Sequence, residues 1–182
     1  WITTGQLDGA RRQLRRALDV LAPIAEQGIP IVGMEPSCLA VWRSDAAELL
    51  PDDPRVEKVA AGIKTLAELL GSLDDWSPPS LAGHTIVAQP HCHQSSVLGW
   101  QARTGATVVS LGGCCGLAGN FGVERGHYDV SVKVAEHDLL PAIRAAGPDA
   151  IILADGFSCR KQVADLEGSQ AMTLAELLAS HS

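Results

Sequence analysis

The chain has 182 residues, a length that suits one compact domain or two small lobes. Hydrophobic residues make up 46% of it, and its net charge of −7 argues against nucleic acid or an anionic membrane surface as a partner. The apolar runs are no longer than strands, so no transmembrane segment is predicted, and no secretory signal is visible. Because the chain starts at Trp1, we interpret it as part of a longer protein.

Amphipathic helices and short apolar strands alternate along the chain. Helices are predicted over 5–28, 38–50, 56–71, 94–104, 126–147 and 173–180. Buried strands are predicted over 29–36, 84–90, 106–113 and 149–155. The first helix should end near Pro23 and Gly28, and Pro141 should kink the fifth. The fifth helix should turn five side chains inward: Val130, Val134, Ala135, Leu139 and Ile143.

This alternation predicts an α/β fold with mainly parallel, short-stranded sheets and flanking helices. The stretch 74–83, rich in Pro, Ser and Asp, predicts a linker between two lobes, 1–73 and 84–182.

The cysteines fall at a special place in this pattern, because each follows a predicted strand. They are Cys38, Cys92, Cys114, Cys115 and Cys159. The carboxyl ends of parallel strands meet at one edge of a sheet, where ligands bind, so several sulfurs should converge there. An odd number of cysteines without a secretory signal predicts reduced thiols in a cytosolic protein.

Two segments of the chain share an ordered pattern. Residues 5–38 and 122–159 each begin with a Gly, an acidic residue and a second Gly, followed by an amphipathic helix with a late Pro. Each then continues through a Gly, a buried strand and an acidic residue to Ser-Cys. The second copy is preceded by Cys114-Cys115-Gly116. The repeat therefore predicts two pseudo-repeated lobes, of which the first is truncated at its N-terminus and lacks a Cys-Cys-Gly upstream of Trp1.

The combination of "EPSC", "HCHQ", "GGCCGLAGNFG", "HYDVS" and "ADGFSCRKQ" resembles the cysteine-rich CCG domain family. This family includes the heterodisulfide reductase B subunit, the glycerol-3-phosphate dehydrogenase C subunit and glycolate oxidase iron–sulfur subunits. The motifs are most similar to the C-terminal part of FAD-linked oxidases of the D-2-hydroxyglutarate or D-lactate dehydrogenase type. One departure is that Gly156 replaces the first cysteine of the family's last Cys-x-x-Cys, and Glu35 stands at the matching place before Cys38.

The resemblance implies an iron–sulfur electron-transfer module of an FAD-dependent 2-hydroxyacid dehydrogenase, passing electrons from the flavin to an acceptor. The FAD and a ferredoxin-like segment would belong to upstream domains of the same polypeptide, so this chain alone should not turn over substrate. A cytoplasmic location, or one peripheral to the inner face of the membrane, is expected. The implied ligands of a [4Fe–4S] cluster are Cys92, Cys114, Cys115 and Cys159, with Gly116 in the ligand loop and Cys38 as a ligand of the truncated first site.

Several alternatives stay open at the level of sequence. Four thiolates also suffice for tetrahedral zinc, which would make this a structural or partner-docking domain. His91 and His93 are further candidate ligands, or bases for a nucleophilic Cys114 or Cys115.

The charged residues beside the cysteines also have two interpretations. Glu35 and Asp155 are expected to cap turns or helices rather than to catalyse. Arg160 and Lys161 would either balance a cluster's negative charge or be solvated.

Overall fold

The computed structural model describes residues 1–90 and 104–181. The chain divides into two compact units, Trp1–Ser72 and Leu73–Ser182. The boundary lies just before the expected linker 74–83, a segment without helix or strand. Leu81 from this segment is nevertheless buried against Ile86 of the second unit. The assignment of the two units as lobes of one duplicated domain stays a prediction.

The first unit packs helices around a two-stranded parallel sheet. Its helices are α1 (Leu7–Glu26), α2 (Pro36–Ala40), a π-helical turn (Val41–Asp45), α3 (Ala46–Leu49), α4 (Arg55–Gly62) and α5 (Leu66–Gly71). Its strands are β1 (Ile31–Gly33) and β2 (Ile63–Thr65), paired through Ile31 and Ile63. The apolar stripe of α1, including Leu14 and Leu18, is buried in the core of this unit, as its periodicity predicts.

The single helix predicted over 56–71 is wrong. Strand β2 interrupts it, because Ile63–Thr65 pairs with β1 instead of continuing the helical turn. The Thr65 hydroxyl then accepts from the backbone N–H of Glu68, and the Glu68 carboxylate accepts from the backbone N–H of Thr65. This capping box starts a new helix at Leu66.

The second unit holds a four-stranded parallel sheet in the order β4-β3-β5-β6. The strands are β3 (Thr85–Ala88), β4 (Thr107–Ser110), β5 (Ile151–Leu153) and β6 (Ala171–Met172). Ile86 of β3 lies opposite Val108 on one side and Ile151 on the other. Among the described residues of this unit, four α-helices follow the strand β4: α6 (Tyr128–Ala135), α7 (Leu139–Ala146), α8 (Phe157–Glu167) and α9 (Leu174–Ser180). The predicted α/β class with short parallel strands and flanking helices is confirmed.

The helix predicted over 126–147 is two helices. The break lies at residues 136–138, and Pro141 is the third residue of α7, where its missing N–H breaks no hydrogen bond. Ala135, Leu139 and Ile143 are buried as predicted, whereas Val130 is 49% exposed. The helix predicted over 94–104 lies outside the described residues, apart from Thr104.

The two units share a local architecture beyond the segments compared in the sequence. In each, a strand leads to a helix with Ser-Cys at its second and third positions, and a second parallel strand leads to a capped helix. The last helix begins in both units with the same hexapeptide, Thr-Leu-Ala-Glu-Leu-Leu, at 65–70 and 173–178. Both copies form a capping box.

Candidate thiol site

The second unit brings the ends of β4 and β5 to the same edge of its sheet. The chain runs from β3 to β4 on one side, while β5 lies on the other side of β3. A reversal of this kind opens a crevice beyond the carboxyl ends of the strands. The loop after β4 carries Cys114 and Cys115, and α8 after β5 carries Cys159.

Cys115 and Cys159 meet at this edge. Both are 4% exposed, and their side chains are hydrogen-bonded to each other. This bond is the main reason why the pKa of the Cys115 thiol is lowered to about 6. Burial acts in the opposite direction, while the backbone N–H groups of Leu117 and Ala118 and the Cys114 thiol lower the pKa further. The site therefore favours a thiolate at Cys115, the form that binds metals.

Gly116 fits the loop tightly around these sulfurs. Its backbone N–H donates to the Cys114 Sγ at 3.3 Å. Its φ of +91° lies in the left-handed region, and a Cβ added there would lie 2.2 Å from the carbonyl oxygen of Ser131. Only glycine satisfies both constraints at this position.

Ser131 and Gln162 fasten the Cys-Cys-Gly loop to the helix that carries Cys159. Gln162, one turn after Cys159 in α8, donates from Nε2 to the Ser131 Oγ at 2.9 Å. Both residues are buried, and Ser131 in α6 is the surface on which Gly116 packs. The hydrogen bond thus fixes the distance between the two sources of thiols.

Gln89 fastens the same loop to the end of β3, one of the two inner strands of the sheet. It follows β3 directly, continues the pairing with β5 through its N–H to the Leu153 carbonyl, and is 2% exposed. Its Nε2 donates to the carbonyl oxygens of Gly113 (2.8 Å) and Pro90 (3.4 Å). No described residue donates to its buried Oε1.

The other predicted ligands are Cys92, His91, His93 and Cys38. Cys92, His91 and His93 lie outside the described residues. Cys38 lies in the first unit, where its exposed thiol borders a cavity of about 380 Å³ lined by Trp1, Leu14 and Val41. Within residues 1–90 and 104–181, no three His, Cys, Asp or Glu side chains are arranged to hold a metal ion.

The acidic residues near the cysteines cap helices, as expected. Glu35 accepts from the N–H and hydroxyl of Ser37 at the start of α2. Asp155 accepts from the N–H of Leu174 at 2.8 Å, at the start of α9.

The basic residues near Cys159 are bonded within α8 and to the residues between β5 and α8. Arg160 donates to the carbonyls of Ala154 and Asp155, and Lys161 forms an ion pair with Asp165. Gly156 is the N-cap of α8, so its backbone begins the helix that positions Cys159.

Sequence reasoning missed Gln89, Ser131 and Gln162. Nothing in their spacing marks them, although a buried Gln directly after an apolar strand is a signal for a fixed hydrogen bond at the sheet edge.

None of the described helices has both the length and the hydrophobicity needed to cross a bilayer.

Comparisons with known proteins give remote but consistent relatives. The chain is 27% identical over 174 residues to the D-2-hydroxyglutarate dehydrogenase of Escherichia coli K12, and 28% over 174 residues to that of Pantoea ananatis. These matches cover 91% of this chain but only 17% of either relative, so the chain spans about a sixth of their length. It is also 24% identical over 179 residues to the C subunit of the anaerobic glycerol-3-phosphate dehydrogenase of E. coli K12, a match that covers 89% of this chain and 43% of that relative. No family model and no solved structure matches. The chain is therefore similar to parts of dehydrogenases of two related kinds.

Proposed function

We propose that this chain is the iron–sulfur electron-transfer module of an FAD-dependent 2-hydroxyacid dehydrogenase. Its [4Fe–4S] cluster would be held by Cys92, Cys114, Cys115 and Cys159. The flavin and a ferredoxin-like segment would lie in upstream domains of the same polypeptide, and the electrons would pass on to an acceptor. We place the protein in the cytoplasm, where thiols stay reduced.

The observation that carries the proposal is the hydrogen-bonded contact of Cys115 with Cys159, beside Cys114, at the carboxyl edge of the sheet. The loop after β4 supplies two thiols and helix α8 supplies a third, which is one more than a catalytic thiol pair needs. A cluster would also need Cys92 and a rearrangement of these thiols, since the described residues are not themselves arranged to hold a metal ion. The backbone N–H groups of Gly116, Leu117 and Ala118 surround these sulfurs. Such N–H groups stabilise thiolate ligands and raise the reduction potential of a bound cluster.

When bound, an iron–sulfur cluster supplies one-electron transfer. The chain's own residues hold its ligands in place: Gln89 and Gln162 tie the ligand loop to β3 and α8, and Gly116 allows the backbone to approach the sulfurs. Burial of Cys115 and Cys159 excludes water from that side of the site.

A structural zinc ion is the second candidate, and the observation that favours it is Gly156. Gly156 is buried and is the N-cap of α8. Proteins of the CCG family carry an additional cysteine at this position. Only four thiols then remain in the second lobe, and four thiolates in tetrahedral array are the ligand set of structural zinc.

The test is anaerobic purification followed by iron, acid-labile sulfide and zinc analysis, with visible and EPR spectra before and after dithionite. It is applied to this chain and to one extended upstream. We expect about four irons and four sulfides per second-lobe site, since a [4Fe–4S] cluster has that composition. Cys115→Ser and Cys159→Ser should lose them. Cys38→Ser, the matched control in the first unit, should keep the second site in this chain. Stoichiometric zinc without iron in both chains would contradict the electron-transfer proposal.

A further inference from the structure

Two histidines, His84 and His181, meet at the surface of the second unit. The centroids of their imidazole rings are 5.3 Å apart, and the ring planes are inclined at 86°. His84 directly precedes strand β3, and His181 directly follows helix α9. The ring contact therefore joins the start of an inner strand to the end of a helix that is distant in sequence.

The backbone on both sides of this pair is fixed by the fold. The N–H of His84 donates to the Leu81 carbonyl at 3.1 Å, and its own carbonyl accepts from the N–H of Thr107 at 3.0 Å. On the other side, Leu177 of α9 packs in one apolar cluster with Leu81 and Ile86. All three apolar residues are no more than 3% exposed. The packing of α9 against the sheet thus brings the two rings together.

The His181 ring has one nitrogen engaged and the other left for a ligand. Its Nδ1 lies 3.0 Å from the Leu177 carbonyl oxygen and 2.9 Å from the Ser180 Oγ, while the Ser180 hydroxyl donates to the same carbonyl. Because a carbonyl oxygen only accepts, Nδ1 carries the proton of the neutral ring and Nε2 carries the lone pair. Metal-binding histidines are commonly held in this way, with one ring N–H on a backbone carbonyl.

The separation of the rings fits two ligands of a single metal ion. An imidazole nitrogen binds Zn²⁺ at about 2.0–2.1 Å, so two ring centroids on one tetrahedral ion lie roughly 5 Å apart. The observed 5.3 Å agrees with this value. Within residues 1–90 and 104–181, no third His, Cys, Asp or Glu completes a metal-binding group with the pair. Water would therefore fill the remaining positions, as it does in open zinc sites.

We propose that His84 and His181 bind a divalent transition-metal ion of the Zn²⁺ type. The ion would join the end of α9 to the start of β3 and so stabilise the folded second unit, because the unfolded chain does not hold the two rings together. His84 lies at the amino end of its strand, whereas the thiols follow the carboxyl ends of β4 and β5. Since all these strands are parallel, the two sites lie at opposite edges of the sheet. The proposal does not depend on which metal the thiols hold.

The test follows the histidine rings by NMR while Zn²⁺ is added to the ¹⁵N-labelled, reduced 182-residue chain. Zinc also binds thiols, so a readout specific to each ring is needed. The ring signals of His84 and His181 should move together and saturate, with the change at the Nε2 of His181 while its Nδ1 keeps the proton. Two other described histidines, His127 and His137, should not respond. No movement of the pair, or equal movement of all four rings, would refute the proposal.

Single substitutions test whether the two rings act together. His84→Ala should weaken the zinc response of His181 by at least about tenfold, because a second ligand on the same chain no longer adds to the first. His181→Ala should weaken the response of His84 in the same way. His137→Ala, the control, removes a histidine whose side chain is 81% exposed and should change neither response. A response of either ring that persists unweakened without the other would overturn the shared site.

Thermal unfolding tests whether the ion stabilises the unit. Excess Zn²⁺ should raise the Tm of the parent more than that of His84→Ala, because the thiol site is the same in both chains. His84 is exposed, so the metal-free variant should fold and unfold like the parent. An equal rise of Tm in both chains would contradict a stabilising ion at this pair.

Discussion

The side-chain amide of Gln89 donates a hydrogen bond of 2.8 Å to the carbonyl oxygen of Gly113, the residue before the Cys114–Cys115 pair. Gln89 directly follows β3, an inner strand of the sheet, and is buried, so the bond anchors the ligand loop to the carboxyl end of that strand. The Gln89 Oε1 meets no described donor. An unpaired buried acceptor lowers the free energy of unfolding by about 1–3 kcal/mol, so Gln89 holds the loop at a cost in stability.

Gln89→Leu should loosen the ligand loop while leaving the overall stability of the fold almost unchanged. The variant loses the hydrogen bonds to the Gly113 and Pro90 carbonyls, and it also removes the unpaired acceptor. These changes oppose each other, so the free energy of unfolding of the metal-free chain should shift by no more than about 1 kcal/mol. Backbone amides of Cys114–Leu117 should exchange faster in hydrogen–deuterium exchange. Gln13→Leu, on an exposed position of α1, is the control and should change neither quantity. Unchanged exchange in the loop would show that Gln89 does not anchor it.

Gly116→Ala should be far more costly than Gly119→Ala. Both glycines have positive φ, +91° and +70°, so both variants pay about 1–2 kcal/mol for a left-handed alanine. Only at position 116 would the new Cβ lie against the Ser131 carbonyl, while at position 119 it meets nothing within 4 Å. We expect a total loss of at least about 3 kcal/mol for Gly116→Ala in urea unfolding. Equal losses of stability in the two variants would mean that the Ser131 carbonyl moves away from the new Cβ at position 116 without an energetic cost.

Variants of Asp155 test whether this carboxylate, which lies near Cys159 in the sequence, only caps helix α9 or also belongs to the metal site. Asp155→Ala removes the acceptor for the Leu174 N–H and should cost about 1 kcal/mol of stability. Asp155→Asn keeps an acceptor oxygen and should cost less. Iron and sulfide content of the extended chain should be the same in both variants as in the parent. A loss of iron in Asp155→Asn at normal stability would assign this residue to the metal site instead.

Much of the fold follows from local sequence signals. The strands β1, β3, β4 and β5 are apolar runs between turn residues, and all four were predictable. Strands β2 and β6 have three and two residues and exist because they pair with β1 and β5, an interaction between distant parts of the chain. The apolar pattern over 56–71 is continuous with a helix, so periodicity alone cannot locate β2.

The convergence of Cys115 and Cys159 was predictable, because it needs only the rule that parallel strands end at one edge. The bond between Ser131 and Gln162 was not predictable, because it joins residues 31 positions apart on two helices whose packing no local pattern fixes. The repeated Thr-Leu-Ala-Glu-Leu-Leu is a signal that the sequence did contain. Its Thr-x-x-Glu spacing marks a helix start at both Leu66 and Leu174.

The two copies of this hexapeptide differ most in their basic neighbour, which sets up a pH-dependent comparison. Arg43 forms an ion pair with Glu68, whereas Arg160 acts on Glu176 only through a Coulombic attraction that is the smallest influence on its pKa. Arg43 donates to both oxygens of the Glu68 carboxylate and lowers the pKa of Glu68 below its usual 4.5, with burial opposing. Glu176 also has a lowered pKa, but there the main cause is the backbone N–H of Thr173. A carboxylate with a lowered folded-state pKa adds stability above its unfolded pKa, and this stability is lost as the pH falls through the folded value.

Glu68→Gln should therefore destabilise the chain more than Glu176→Gln at neutral pH. Glutamine can keep the capping box in both, so the difference isolates the ion pair with Arg43, a half-exposed contact that contributes at most about 1 kcal/mol. Urea unfolding from about pH 7 to about pH 3 should show the cost of Glu68→Gln shrinking as Glu68 becomes protonated in the parent. Added salt at neutral pH should reduce it in the same way. The two variants could instead lower the free energy of unfolding equally and independently of pH. In that case the Glu68 carboxylate would stabilise the chain only as part of the helix cap, and its ion pair with Arg43 would contribute nothing.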